Sequence, residues 1–339
     1  MIANLWYYQG TLNNPYENLS LESYFLQTCP PNTCICYLWQ NQKTVVIGKN
    51  QNAWRECNVE LLEGEGGFLA RRCSGGGAVF HDLGNLNFTF IAPLADYSIS
   101  RQMDIICQAV EQFGLHPQKS GRNDLLIGNR KFSGSAFQKN SRCGCHHGTL
   151  LVDTDLAQMS RYLTVSAEKL QSKGVLSVKS RVVNLKELCS SIAVQTLSQA
   201  ILCAFGQVYG LSVQSMPKTA IDWEKVQEKT DLLSSWQWRL GKDLSFSFEL
   251  SHRFIWGEIS LRFGVHAGQT VKVQAYSDAM DADFIEKIPG LLQNLPVSFS
   301  AFAKALSPLA ENPQYAQMAV DLQKFLQNNP QKIKGDEIR

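Results

Sequence analysis

The sequence lacks the features that mark several large classes of protein. It has no Lys/Arg run, and its formal net charge is only +2, so we expect no nucleic-acid partner. No apolar run approaches the ~20 residues that span a bilayer. The residues from Met1 to Tyr8 contain neither a charged n-region with an apolar core nor the Arg- and Ser-rich pattern of a mitochondrial presequence. We therefore expect a soluble, cytoplasmic protein with no membrane partner.

Three common catalytic motifs are also missing. The absence of G-x-x-x-x-G-K-[ST] excludes a P-loop, and the absence of G-x-G-x-x-G excludes a dinucleotide fingerprint. Ser74 is not in a G-x-S-x-G elbow, so a hydrolase triad with His81 and Asp82 is not supported.

Cysteine is abundant, with ten residues, but a cytoplasmic protein has little use for a disulfide framework. The segment Cys143-Gly-Cys145-His146-His147 raises the possibility of zinc. It lacks the paired C-x2-C spacing of most structural zinc sites, and adjacent histidines in a strand point to opposite faces. A structural zinc site is therefore the less favoured alternative.

The chain of 339 residues is long enough for two domains. Hydrophobic residues make up 44% and charged residues 18%, which permits an ordinary buried core. The composition shifts near residue 245, so we predict a catalytic domain over 1–245 and a small domain over 246–339. Strands and helices alternate irregularly, which indicates an α+β fold.

Local patterns predict the individual elements. Ser20 is a plausible N-cap for a helix that ends near Leu26, and Asp153 for a short helix further along. Apolar spacing predicts helices over 99–113, 183–209, 281–291 and 313–327. Strands are predicted over 34–39, 44–47, 68–71, 87–91, 124–127, 131–133 and 148–152, then in 246–265 and over 271–275. Gly128-Asn129 is a hairpin turn signal between two of them.

The most informative stretch runs from Arg71 to Asn85 and contains Gly75-Gly76-Gly77. Three glycines between two strands allow unusual backbone angles and let a ligand approach the main-chain N–H groups. Arg71 and Arg72 precede the loop, and a guanidinium can bridge two phosphate oxygens. A flexible surface loop is the alternative, but the flanking arginines favour an anion-binding site.

A second stretch, from Gly121 to Ala136, contains Lys131. Strand alternation predicts that Lys131 and Ser133 share one face, while Arg130 and Phe132 share the other. A lysine that points inward needs an anionic partner, because an unpaired buried ammonium is costly. An anionic substrate could be that partner, whereas a solvent-facing lysine is the plain alternative.

Together these segments resemble the lipoate-protein ligase A family. The matching blocks are Arg71–Asn85, Asn123–Leu125, Lys131–Ala136, His146–Leu151 and Lys173–Leu185. They run through most of the first domain, and the part from about Phe246 resembles the family's accessory domain. The resemblance implies a biotin/lipoate-protein ligase-like catalytic domain of mixed sheets with flanking helices, and a small α+β C-terminal accessory domain.

The resemblance also implies roles for single residues. Lys131 matches the family's essential lysine, which touches both the lipoate carboxyl group and the phosphate. Asn123 and Asp124 would lie near the nucleotide, with Asp124 a candidate Mg2+ ligand. ATP contacts are implied for Arg72, Gly77, Ala78, Val79, Phe80 and Lys131; lipoate contacts for Lys131, Arg72, Gly75 and Gly76; and a place in a loop that closes over the adenylate for Lys179 and Arg181.

The implied activity is ATP-dependent attachment of lipoate to protein. The lipoate carboxylate attacks the α-phosphate of ATP, pyrophosphate leaves, and a carrier lysine then takes the lipoyl group from lipoyl-AMP. Both reactants of the first step are anionic, so fixed positive charge from Lys131, Arg72 and Mg2+ is the main requirement. The implied cofactors are ATP and Mg2+. The implied partners are lipoate, the lipoyl domains of 2-oxoacid dehydrogenase complexes and the glycine cleavage H protein.

Several alternatives stay open at this point. An ATP-independent lipoyl or octanoyl transferase has the same fold, and Cys73, Cys143 or Cys145 could be its nucleophile. A mitochondrial lipoyltransferase should carry a presequence, and a biotin ligase should carry a different Gly-Arg-rich loop. A non-catalytic lipoate-binding protein would have no need of Lys131.

Overall fold

The computed structural model describes residues 1–121, 123–164, 182–240, 248–266 and 268–328. Contacts between residues divide the chain into two compact units. The first contains Met1–Ile47, Ala53–Cys73 and Ala78–Leu240, and the second contains Gly48–Asn52, Ser74–Gly77 and Gly241–Arg339. The predicted boundary at residue 245 lies outside the described residues and stays a prediction.

A mixed eight-stranded sheet dominates the first unit. Its strand order is β11-β1-β2-β6-β10-β9-β8-β7, and β1 is parallel to both β2 and β11, while the other pairs are antiparallel. The bounds are Asn4–Gln9 (β1), Thr33–Trp39 (β2), Asn85–Pro93 (β6), Pro117–Ser120 (β7), Asp124–Ile127 (β8), Arg130–Lys139 (β9), Cys143–Leu151 (β10) and Val213–Ser215 (β11).

A second, three-stranded sheet belongs to the same unit, in the order β4-β3-β5. Its strands are Thr44–Ile47 (β3), Phe68–Arg71 (β4) and Val79–His81 (β5). The helices of this unit are Pro15–Thr28 (α1), Ala53–Glu56 (α2), Val59–Gly64 (α3), Ile99–Glu111 (α4), Leu156–Tyr162 (α5), Leu185–Leu188 (α6), Val194–Tyr209 (α7), Trp223–Ser234 (α8) and Trp236–Leu240 (α9).

Both faces of the large sheet are covered, which explains why every residue of β2 is buried. On one face α4 and α7 pack against Cys34, Phe88 and Phe90 to form an apolar core. On the other face α1 and α8 pack against Ile35 and Tyr37, together with residues of the small sheet. Lys131 and Glu22, two of the candidate site residues described below, lie on this second face.

The second unit has its own core. Strands Phe248–Phe254 (β12), Gly257–His266 (β13) and Gln269–Ser277 (β14) form an antiparallel sheet. Helices Ala282–Leu292 (α10), Phe299–Ala305 (α11), Ser307–Ala310 (α12) and Ala316–Gln327 (α13) pack their apolar residues against it. None of the helices in the described parts of either unit combines the length and apolar character that crossing a bilayer requires.

The α+β prediction is confirmed, but several element bounds differ from the predicted ones. Helix α1 begins earlier, because Asn14 rather than Ser20 accepts the capping bond, from the Tyr16 N–H. Asp155, not Asp153, caps α5. The predicted helix over 183–209 is two helices, α6 and α7, with Asn184 at the start of the first.

Truncating a core side chain of α7 should destabilise the first unit. Phe205 is fully buried and packs against Phe90 with ring centroids 5.7 Å apart. We expect Phe205→Ala to lower the free energy of unfolding by about 3–5 kcal/mol, measured by urea denaturation. The exposed Cys203 on the same helix provides the control, since Cys203→Ala should change the free energy by less than about 0.5 kcal/mol. Equal effects from the two variants would contradict this account of the core.

Candidate active site

The Lys131 ammonium lies at the β8–β9 hairpin. Its Nζ is 2.7 Å from Oδ1 of Asp124, and the two side chains are 36% and 33% exposed. The Lys131 carbonyl accepts a hydrogen bond from the Val183 N–H. Asn123 is next to this pair, and its side-chain amide donates to the Ser135 carbonyl at 2.9 Å. The structure thus brings together three of the predicted site residues.

The prediction that Lys131 and Ser133 share a face is wrong. The register between β8 and β9 shifts by one residue, so that Phe132 is the extra residue of a bulge. A Cβ built on Gly134 would lie 2.6 Å from the Lys131 Nζ. Because Ser133 and Gly134 are neighbours in an extended strand, they point to opposite faces. Lys131 therefore lies over Gly134, and the glycine leaves room for the lysine side chain.

A row of cross-strand neighbours leads away from Lys131 across the large sheet. Gly134 is opposite Thr149, Thr149 is opposite Asn87, and Asn87 is opposite Trp39. Directly opposed residues share a face of the sheet. Strands are about 4.8 Å apart, so Asn87 is about 10 Å from Gly134. We call Gly134, Thr149, Asn87 and Trp39 the cross-sheet row.

Arg72 follows β4 and is buried, with 6% of its surface exposed. Its Nη1 donates to the carbonyl of Val46 at 3.3 Å. Burial lowers the pKa of Arg72 to about 10, and the negative charge of Glu22 opposes that decrease. A pKa of about 10 leaves the guanidinium charged at neutral pH, with a buried carboxylate as its compensating charge.

The carboxylate that compensates Arg72 belongs to Glu22, which the sequence analysis did not identify. Glu22 on α1 is only 2% exposed, and its oxygens lie 2.7 Å from Nδ1 of His147. The Thr89 hydroxyl donates to the same carboxylate at 2.7 Å, and Trp39 Nε1 donates to Thr89 Oγ1 at 3.1 Å. The sequence did contain a sign of it: Glu22 lies at helical spacing from Leu19 and Phe25, and all three are on the buried face of α1.

His146 and His147 point to opposite faces of β10, as the alternation requires. His146 lies in the apolar core among Phe88, Phe90 and Phe137, with its Nδ1 3.2 Å from Oε1 of Gln102. His147 faces Glu22 instead. The two histidines therefore cannot bind one metal ion together.

The cysteines near these histidines also separate. Cys145 lies with Glu22 and His147, whose candidate ligand atoms are all within 4.8 Å of one another, whereas Cys143 interacts with Cys29. Burial, with a smaller contribution from Glu22, raises the pKa of the Cys145 thiol well above its usual value. A thiol that resists ionisation is a poor nucleophile, which disfavours Cys145 as the acceptor of an acyl group.

The predicted glycine loop is divided between the two units. Phe80 of β5 is buried in the first unit, against the ring of Tyr162 at 5.7 Å, and Val79 packs with the apolar residues around α1. Ala78 is also in the first unit. Gly75, Gly76 and Gly77 group with the second unit.

Within the second unit, the backbone of residues 279 and 280 leaves no room for a side chain at Gly75. A Cβ there would lie 2.5 Å from the carbonyl oxygen of Ala279. The Gly76 N–H donates to the same carbonyl at 2.9 Å, and Gly76 has a φ of 90° that favours glycine. A Cβ on Gly77 would meet nothing within 4 Å. Packing thus explains the glycine at position 75, and backbone conformation explains the one at position 76. Ligand contacts by Gly75, Gly76 and Gly77 stay predictions. The predicted roles of Lys179 and Arg181 also stay predictions, because both residues lie outside the described residues.

Acid should destabilise the protein through its buried histidines. Burial is the main factor that lowers the pKa of His81 and of His146 to about 3. Between pH 6.5 and 3 the unfolded chain therefore binds more protons, and stability falls as pH falls through this window. Each histidine contributes at most about 1.4 kcal/mol per pH unit. We expect His146→Gln to reduce the slope of unfolding free energy against pH by up to this amount, measured in urea between pH 7 and 5. An unchanged slope would contradict the assignment.

Two protein-family models and a known protein match the sequence of this chain. Residues 14–206 match the lipoyl protein ligase A/B catalytic domain, and residues 243–328 match the bacterial lipoate protein ligase C-terminus. The chain is 39% identical over 286 residues to a lipoate-protein ligase A of Psychrobacter cryohalolentis, which covers 82% of this chain and 84% of that protein.

Two solved structures share the fold. The P. falciparum protein LipL1, in complex with lipoate, aligns with a TM-score of 0.84 and 27% identity over 96% of this chain and 99% of that one. A lipoate-protein ligase A bound with ATP aligns with a TM-score of 0.61 and 22% identity over 71% of this chain and 99% of that one.

The catalytic-domain match alone does not separate the A type from the B type, since its description covers both. The C-terminal match and the 39% identical relative resolve this ambiguity. Taken together with the Lys131 and Arg72 geometry, they show that the chain belongs to the lipoate-protein ligase A family.

Proposed function

We propose that this lipoate-protein ligase activates lipoate as lipoyl-AMP at the expense of ATP and then transfers the lipoyl group to a carrier lysine. The observation that carries the proposal is the position of Lys131. Its ammonium is partly exposed and, among the residues that the structure describes, is paired with Asp124 alone, itself 33% exposed, at the head of the cross-sheet row. An exposed ion pair contributes little stability, so an incoming anion can replace Asp124 at low cost.

In the first step a carboxylate oxygen of lipoate attacks the α-phosphorus of ATP, and the bond to the pyrophosphate oxygen breaks. Lys131 offsets the repulsion between the two anions, and buried Arg72 adds fixed positive charge within the same unit. The ATP-bound relative supports the choice of nucleotide.

In the second step the ε-amine of the carrier lysine attacks the carbonyl carbon of the mixed anhydride. The bond to AMP breaks, an amide forms, and the amine proton passes to solvent. The Lys131 ammonium, placed at the same carbonyl, stabilises the oxyanion of the tetrahedral intermediate.

Mg2+ fits the oxygen donors near Lys131. Asp124 has a hard carboxylate that is one-third exposed, the type of ligand that Mg2+ takes alongside phosphate oxygens. Asp124 would hold the ion once Lys131 turns to the substrate. When bound, Mg2+ neutralises charge on the phosphate oxygens.

The proposed acceptors are the lipoyl domains of 2-oxoacid dehydrogenase complexes and the glycine cleavage H protein, and the proposed location is the cytoplasm. The acceptors follow from the family, whose members attach lipoate to protein. The location is supported by the ten cysteines, all of which are unpaired, as a reducing compartment requires.

Removing the Lys131 ammonium should nearly abolish adenylation. We expect Lys131→Ala to reduce lipoate-dependent exchange of pyrophosphate into ATP by at least about 100-fold, because a main source of fixed charge is lost. Lys139 is a matched control, since it lies on the same strand, is exposed and contacts the Tyr97 ring. Lys139→Ala should keep wild-type exchange. No lipoate-dependent exchange by the wild-type protein would refute the proposal.

Adding one methyl group at Gly134 should displace that ammonium without unfolding the protein. The new Cβ would lie 2.6 Å from the Lys131 Nζ, which is the end of a flexible chain and can move. We expect Gly134→Ala to lower exchange at least about tenfold through misplacement, while thermal midpoints shift by less than about 4 °C.

Gly290 in α10 is the control for this substitution, because a Cβ there meets nothing within 4 Å. Gly290→Ala should leave exchange unchanged. A Gly134→Ala protein with full activity would show that the position of Lys131 over Gly134 is not the working one.

A further inference from the structure

Lys131 lies where the pairing of its own strand changes on both sides. The ladder between β9 and β10 begins at Ser133, which is opposite Leu150. On the side of β8, the bulge at Phe132 interrupts the register immediately after Lys131. An extra residue in a bulge disrupts the ladder locally and lets the strand bend. The backbone that carries the Lys131 ammonium is therefore held less firmly by these two strands than the rest of β9, and its position depends on a further support.

Residues 182–184 provide that support, in the place that β10 would otherwise take. Val182 forms a parallel bridge with Lys131, and the Val183 N–H donates to the Lys131 carbonyl at 2.9 Å. This pairing is short, because helix α6 begins at Leu185. A short two-stranded pairing is only marginally stable by itself. Whatever holds residues 182–184 in place therefore also holds the backbone of Lys131.

The side-chain amide of Asn184 ties this segment to the chain that follows β10. Its Nδ2 donates to the Thr154 carbonyl and its Oδ1 accepts from the Thr154 N–H, both at 2.9 Å. Asn184 and Thr154 are only 7% and 3% exposed, so water competes little for either bond. A side-chain amide offers a donor beside an acceptor, as this pair of bonds requires, whereas an ionised carboxylate offers acceptors alone.

Apolar packing holds the same segment without fixing its register. Val183 and Leu185, on either side of Asn184, are fully buried in the core that includes α4 and α7. Burial of apolar surface is non-directional, so it holds the segment against the core but tolerates a small shift along β9. The two hydrogen bonds of Asn184 are directional and remove that freedom. The Lys131 carbonyl, bonded to Val183, is thereby kept in one position.

We propose that Asn184 is a positioning residue for the reaction and acts through Lys131. Its bonds to Thr154 fix the Val183 N–H, which in turn fixes the backbone beneath the ammonium. The bulge at Phe132 makes this support necessary, since the extra residue there has no partner of its own on β8. The proposal rests on the proposed function, in which the Lys131 ammonium must meet a carboxylate and a phosphate in a defined geometry.

The first test removes both bonds with Asn184→Ala. We expect kcat for lipoate-dependent pyrophosphate exchange to fall about tenfold through misplacement of Lys131, while KM for ATP changes by less than about twofold. In a Lys131→Ala background the same substitution should cause no further loss of exchange, because Asn184 acts through that lysine. Asn184→Asp keeps the shape and the bond from the Thr154 N–H, and serves as the second variant should the alanine protein not fold. Its kcat should fall at least about threefold.

Asn140 provides a matched control, because it lies at the turn at the other end of β9. Its amide also binds main-chain groups: it donates to the Leu26 carbonyl and accepts from the N–H groups of Arg142 and Cys143, at 2.9, 2.8 and 2.7 Å. Asn140→Ala should therefore lower the thermal midpoint as Asn184→Ala does, but it should keep the wild-type kcat.

Amide hydrogen exchange tests the same link without catalysis. The Val183 N–H should exchange at least about tenfold faster in Asn184→Ala than in the wild-type protein, and at the wild-type rate in Asn140→Ala. An unchanged Val183 rate in Asn184→Ala would overturn the proposal. So would equal losses of kcat in the two alanine variants, or a loss that multiplies with that of Lys131→Ala, since both indicate a general effect on folding. A wild-type protein without lipoate-dependent exchange would instead refute the proposed function, whatever the Val183 rate.

Discussion

The buried carboxylate of Glu22 connects the parts of the first unit that form the candidate active site. It extends from α1, contacts His147 and Thr89 on the large sheet, and compensates Arg72 at the end of β4 in the small sheet. A charge with 2% exposure is tolerated only with such partners, because its desolvation costs several kcal/mol. The helix and both sheets must therefore be correctly packed before Arg72 can be buried as a cation.

The two proposed catalytic cations consequently have different environments. Arg72 is buried and already compensated, so its position is fixed by the fold. Lys131 is about one-third exposed, and its partner Asp124 is equally accessible to solvent. A pair of this kind exchanges partners easily, whereas a buried pair does not. This difference fits the proposed mechanism, in which Lys131 interacts in turn with a carboxylate, a phosphate and an acyl carbonyl.

Much of the fold and part of the site could be predicted from the sequence. The strands Phe68–Arg71 and Asp124–Ile127 agree with prediction, because short β-branched or apolar runs between turn residues have few alternatives. The bulge at Phe132 could not be predicted, because the alternation of polar and apolar residues does not show where a strand contains an extra residue. The bulge places Lys131 on the face opposite to Ser133, contrary to the prediction. Glu22 was missed because its hydrogen-bond partners, Thr89 and His147, are 67 and 125 residues away in the sequence.

The residues from Cys143 to His147 show why adjacency in sequence is a poor guide to a site within a strand. Alternation sends His147 and Cys145 toward Glu22, and His146 toward Phe88 and Gln102 in the apolar core. The five residues thus lie in two environments, and only the odd-numbered ones are on the face of the sheet that carries the cross-sheet row. The same reasoning separates Ser133 from Gly134 on β9. The candidate site is built across strands, from residues that the sequence keeps apart, and its geometry depends on strand register more than on any continuous motif.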